Sequence, residues 1–108
     1  MSDTLNHIRS LAERGAIRIS DHGYDELAKD DIIINDVLTG IGSAVVVEDY
    51  PAAMRGPSVL VLQWDPLQRP VHVVWAIPRH HSEPGVLVTA YRPDQERWSS
   101  DFLRRRIR

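Results

Sequence analysis

Apolar residues follow two rhythms along this chain, a helical one in the first half and a two-residue alternation in the second. From Thr4 to Arg14, Leu5, Ile8, Leu11 and Ala12 recur at helical spacing, with Ser2, Asp3 or Thr4 available as a cap and Gly15 as a stop. Ile17-Arg18-Ile19 alternates and reads as a short strand. Ser20 and Asp21 offer the cap of a second helix from His22 to Lys29, with Tyr24, Leu27 and Ala28 expected to face the core. Asn35 or Asp36 caps a third helix through Ile41; Val37, Leu38 and Ile41 form its apolar stripe, and Gly40 and Gly42 end it. Four strand-like runs follow, from Ala44 to Tyr50, Ser58 to Trp64, Val71 to Ala76 and Gly85 to Tyr91, rich in β-branched residues and bounded by Pro, Gly or Asp. Pro93-Asp94 then predicts a short terminal helix containing Trp98, Phe102 and Leu103. Helices first and strands after predict an α+β fold, N-terminal helices packed on a four-stranded antiparallel meander sheet.

The run Val71-His72-Val73-Val74-Trp75-Ala76 places one imidazole at the middle of that sheet. Side chains alternate along a strand, so Val71, Val73 and Trp75 share one face, and His72, Val74 and Ala76 the other. The 108 residues suit a single domain, 1–108, with one core. The absence of cysteine excludes disulfides and thiolate metal sites. The opening Met1-Ser2-Asp3-Thr4-Leu5 lacks the basic and then apolar regions of a secretory signal, and no apolar run has membrane-spanning length, so a cytoplasmic protein without membrane contact is expected. The net charge of −2 conceals an asymmetry: ten acids and four bases up to Pro51, five acids and nine bases after it. Twelve of the thirteen bases are arginine, and Arg92, Arg97, Arg104, Arg105, Arg106 and Arg108 all follow the last strand. A basic tail after a sheet suits nucleic acid or an acidic protein, and also an ordinary solvated terminus.

The pieces Ile17-Arg18-Ile19-Ser20-Asp21-His22, Asp36-Val37-Leu38, Val47-Glu48-Asp49-Tyr50-Pro51, Pro70-Val71-His72-Val73-Val74 and Thr89-Ala90-Tyr91-Arg92-Pro93-Asp94, with Trp98, resemble in order and spacing the small bacterial family DUF4258. That family is similar in fold to the RelE-like toxins within the barnase, colicin and RelE group of metal-independent ribonucleases. The resemblance implies a RelE-like fold, an endoribonuclease of toxin–antitoxin type, RNA as substrate and a cognate antitoxin as partner. One position departs from the pattern. Relatives carry Arg a turn after the histidine of the second helix, where this chain has Glu26 in His22-Gly23-Tyr24-Asp25-Glu26.

Metal-free RNA cleavage uses the 2′-hydroxyl as nucleophile and needs a base, an acid for the leaving oxygen and positive charge near the phosphorane. Histidine, with an unperturbed pKa of about 6.5, is the natural acid or base, and arginine the natural phosphate clamp. The resemblance carries these roles to His22 and His72. Tyr91 and Arg92 follow the last strand within reach of a phosphate, and Arg104 and Arg105 extend a cationic track. Trp98 would stack a base if exposed, although Trp98, Phe102 and Trp75 read first as core. His72 among apolar neighbours and Tyr91 beside them read as packing residues too. The adjacent His80 and His81, even with Glu83 and Asp94, form no metal-ligand spacing, and no Gly-rich phosphate loop or nucleophile elbow is present, so neither metal nor cofactor is expected. Two functions stay open: an endoribonuclease acting through His22 and His72 with Arg92, or a non-catalytic protein- or RNA-binding module. The first requires those three side chains to converge on one open cleft. The second predicts that they are dispersed, or that an apolar side chain blocks the cleft.

Overall fold

The computed structural model describes residues 2–107, so Arg108 of the basic tail lies outside the described residues. Helix α1 spans Asp3–Glu13 and is capped by Ser2, whose hydroxyl accepts the Leu5 amide at 3.1 Å. Its Leu5, Ile8 and Leu11 are buried, as their spacing requires. Strand β1 is Ile17–Ile19, and helix α2 is Asp21–Lys29. Ser20 caps α2 by accepting the Gly23 amide at 2.9 Å and donates to the Val88 carbonyl, which pins the helix start to the sheet. Helix α3, Ile34–Gly40, continues into a 3₁₀ turn, Ile41–Ser43. Strands β2 (Val45–Tyr50), β3 (Ser58–Trp64), β4 (Pro70–Ala76) and β5 (Gly85–Tyr91) follow. Among the described residues no helix is long and apolar enough to cross a membrane.

The sheet differs from the expected four-stranded antiparallel meander. It has five strands in the order β1-β5-β4-β3-β2, and β1 runs parallel to β5, making it mixed. The last four strands do form consecutive antiparallel pairs. The parallel addition follows from the chain path, because α2 crosses over the sheet after β1 and the later strands return beside it.

Three helical details also depart from expectation. Tyr24 is 58 % exposed and Ala28 is exposed, whereas Gly23 and Leu27 form the buried face of α2. The cause is close approach: a Cβ on Gly23 would stand 2.8 Å from the Leu87 carbonyl oxygen, so only glycine lets α2 rest on β5, and Tyr24 turns outward. Helix α3 starts after Ile33 with no side-chain cap, so neither Asn35 nor Asp36 fills that role.

The third detail is the terminal helix expected from Pro93, which does not form. Residues 93–107 make an irregular strap of turns closed by a Trp98–Arg105 bridge. Ser99 and Asp101 divert the backbone: Asp101 accepts the Leu103 amide at 3.1 Å, Ser99 Oγ accepts the Arg104 amide at 3.2 Å, and the Ser99 hydroxyl donates to Asp101 at 2.6 Å. Such side-chain bonds compete with the helical ladder.

Two apolar layers result. Val59, Val61, Val71, Val73, Trp75 and Leu87 face the helices, together with Leu27 of α2. On the other face Leu60, Leu62 and Val74 are covered by Trp98, Phe102 and Leu103 of the strap. The strap thus does for the second face what the helices do for the first.

Candidate functional site

His72 lies on the strap-covered face, as strand alternation requires, but it is not open to solvent: its exposure is 0 %. Its Nε2 is 2.8 Å from the Phe102 carbonyl oxygen and its Nδ1 is 3.1 Å from the Tyr91 hydroxyl. A carbonyl can only accept, so Nε2 carries the proton and Nδ1 accepts from the Tyr91 O–H. The Trp98 ring meets the imidazole nearly perpendicularly, 4.4 Å between centroids, and Tyr91 does so at 5.3 Å. Tyr91 is there because His72 and Tyr91 are register partners across β4 and β5. Burial lowers the imidazole pKa below its ordinary 6.5; Arg105 adds to this, against the opposing Phe102 hydrogen bond and Glu48 charge. Burial likewise raises the Tyr91 phenol above 10.0.

Beside this pair an open groove of about 420 Å³ is lined by Tyr91, Arg92, Asp94, Arg97, Trp98 and Arg105. Its three arginines are not equivalent. Arg92 is turned toward the sheet end, where its guanidinium bonds Asp65 at 3.0 Å and the Pro70 carbonyl at 3.3 Å, while its amide donates to Asp30. Asp65 is buried and also accepts from the Leu67 and Arg69 amides and the Arg69 guanidinium. Burial opposes its ionisation, but these bonds outweigh burial and hold its carboxyl below the usual range. Arg105 is bound through two nitrogens to Glu48, at 2.8 and 3.0 Å, and lies over the Trp98 ring with its guanidinium carbon 4.7 Å from the centroid. Arg97 is exposed on the groove wall.

The sequence-predicted site residues are therefore partly gathered and partly dispersed. His72, Tyr91, Arg92, Trp98 and Arg105 come together. Arg104 is exposed on the strap but does not line the groove, and Arg106 is spent on the strap itself, donating to the Gln95 and Trp98 carbonyls. Trp98 is only 4 % exposed, so it serves as core and its ring is not free to stack a base.

His22 does not meet His72. It sits on α2 in the helical layer, its side chain 63 % exposed and 3.5 Å from Glu26, with the sheet between it and the strap face. The expected convergence of the two imidazoles fails because α2 packs its Leu27 into the core opposite to the one that encloses His72. Two participants were not singled out as site residues by sequence reasoning. Arg97 was visible only as one arginine among several. Glu48, in a stretch that reads as a strand end, had no local signal, because its partner lies 57 positions away. No group of three or more His, Cys, Asp or Glu suited to a metal occurs among the described residues. His81 instead bonds the Arg79 carbonyl.

Comparison with known proteins adds one assignment. No curated protein and no solved structure matches the chain. A family match covers residues 19–92, which takes in α2, the whole meander, His72, Tyr91 and Arg92 and ends where the strap begins. The chain belongs to DUF4258, a domain family of unknown function.

Proposed function

We propose that the protein is a non-catalytic RNA-binding member of its family, holding the backbone of single-stranded RNA in the groove between the end of β5 and the strap. The observation that carries this reading is the gathering of Arg92, Arg97 and Arg105 around Tyr91 at one open groove. Cations that follow a backbone beside aromatic rings are the pattern by which single strands are held without sequence readout. The likeness in fold of DUF4258 to RelE-like ribonucleases, which we take as this domain's wider relationship, favours RNA over other polyanions.

Cleavage with His22 and His72 finds less support. The rings lie on opposite sides of the sheet, and His72 has both nitrogens engaged and no access to a substrate proton. The His72–Tyr91 pair is equally ill-suited to passing a proton. Burial disfavours both the imidazolium and the phenolate, so the proton stays on Tyr91.

The test is fluorescence anisotropy of a mixed-sequence single-stranded RNA titrated with the intact protein over a range of salt concentrations, with gel analysis of the same RNA for cleavage. Binding should weaken with salt, and Arg97→Ala should flatten the logarithmic slope by about 0.7, one phosphate contact on a single strand. The RNA should remain intact. Absence of binding at low salt, or an Arg97→Ala protein indistinguishable from wild type, overturns the reading; cleavage that a 2′-deoxy strand resists would restore the nuclease.

A further inference from the structure

One groove arginine is already occupied by a carboxylate that the fold goes out of its way to supply. Between Val46 and Glu48 the pairing of β2 with β3 slips by one residue, so that Val46 stands opposite Val61 and Glu48 opposite Leu60. Without the bulge, Glu48 would pair with Val59, whose side chain is in the helix-side core. With it, Glu48 shares the face of Leu60, under the strap. A bulge that re-aims one side chain in this way is a recurrent device beside functional sites.

Redirected, Glu48 meets Arg105 through both carboxylate oxygens, at 2.8 and 3.0 Å, and Tyr50 donates its hydroxyl to Oε1 at 2.7 Å. Two parallel bonds from a guanidinium fork to two oxygens are also how arginine grips two phosphate oxygens. The side chain of Arg105 remains 64 % exposed, so the fork is accessible to a competing anion, and it covers the ring of a Trp98 that is otherwise enclosed.

We infer that Glu48 is a built-in phosphate mimic that restrains the groove: RNA must exchange its own phosphate for this carboxylate on Arg105. This rests on the RNA-binding reading and adds its regulation. Neutralising Glu48, or giving Arg105 a stronger anion, would convert a restrained groove into an open one. Because the Arg105 hydrogen bond holds the Glu48 carboxyl below its ordinary pKa, the clasp stays charged in mildly acidic solution.

The experiment compares wild type, Glu48→Gln, Asp49→Asn, Arg105→Ala and the double variant Glu48→Gln/Arg105→Ala in the same anisotropy titration, with thermal melts to confirm that each is folded. Glu48→Gln keeps the shape and an acceptor for Tyr50 but loses the charge. It should bind RNA about 10-fold more tightly at fixed salt and steepen the salt slope by about 0.7. Asp49→Asn removes the same charge from an exposed neighbour on the strand and should change affinity less than 2-fold. The double variant should bind like Arg105→Ala alone. The clasp is refuted if Glu48→Gln is no tighter than Asp49→Asn, or if it tightens binding equally with Arg105 absent, since general charge then explains the effect. A gain in Glu48→Gln over wild type that exceeds the Asp49→Asn gain and disappears in the double variant supports the clasp. Failure of every variant to bind refutes the RNA reading and the clasp with it, whereas binding by wild type without a Glu48 effect refutes only the clasp.

Discussion

Replacing His72 with alanine should unfold much of what makes the strap face, and the cost can be built from its contacts. The imidazole is fully buried among Tyr91, Trp98 and the Phe102 backbone. Truncating a buried side chain of this size without relaxation costs about 2 kcal/mol or more in lost packing. The Phe102 carbonyl loses the His72 donor and the Tyr91 hydroxyl its acceptor, each left unpaired at about 1 to 3 kcal/mol unless water enters. With water satisfying one of these two groups, the total comes to about 3 to 5 kcal/mol, a large part of the roughly 5 to 15 kcal/mol that stabilises a small domain. His72→Gln, whose amide can still donate to the Phe102 carbonyl, should cost less than half as much. Urea denaturation monitored by tryptophan fluorescence measures both, and amide exchange at Leu103 and Arg106 should rise first in the alanine variant, since their bonds lie within the strap. A His72→Ala protein within 1 kcal/mol of wild type would refute the assignment of His72 as the strap's anchor. The same reasoning governs functional assays. Loss of activity in His72→Ala is expected from unfolding alone and would not identify a catalytic base.

Two further predictions follow from the buried ionisable groups. The folded-state pKa of His72 lies below the ordinary 6.5, so between those values the unfolded chain binds more protons than the folded one. The contribution of neutral His72 is fully present above pH 6.5 and is lost as pH falls toward its folded pKa; urea midpoints should therefore drop on acidification from pH 7 to 5, with a shallower dependence in His72→Gln, and a pH-independent difference between the two proteins would contradict this. At the sheet end, Asp65→Asn should cost about 2 to 3 kcal/mol, because it leaves Arg92 without its carboxylate in a half-closed site and turns an amide N–H toward two guanidinium groups. Thermal melts at neutral pH would show it, and an unchanged midpoint would mean that Arg92 is not held as the geometry implies.

What was legible in the sequence is what local periodicity determines. Leu5, Ile8 and Leu11 declare one helix face, and the alternation of β4 correctly puts His72 opposite Val71, Val73 and Trp75. Pairings between distant segments were not legible. A three-residue run such as Ile17–Ile19 names no partner, so its parallel addition to β5 could not be foreseen. Simple alternation from Val46 puts Glu48 on the helix side, and only the bulge, set by the pairing with β3, reverses it. The Pro93 helix signal lost to Ser99 and Asp101, whose side chains satisfy the backbone in another shape. Tyr24 was assigned to the core by spacing, and the smallness of Gly23 decided otherwise.

The strap changes the chemistry that the second sheet face can offer. A histidine at the centre of an uncovered sheet would titrate near neutrality and could meet a substrate. Here Phe102 is held at φ 63, an uncommon conformation for a non-glycine residue, while its carbonyl accepts the Nε2 proton and Trp98 closes over the ring. The imidazole becomes a neutral, doubly bonded strut, and what faces solvent beside it is guanidinium. Four of the six groove residues, Asp94, Arg97, Trp98 and Arg105, belong to the strap, whereas Tyr91 and Arg92 belong to the segment shared with the family. The residues that remove His72 from solution are thus among those that build the cationic groove, and a change in the strap that exposed one would dismantle the other.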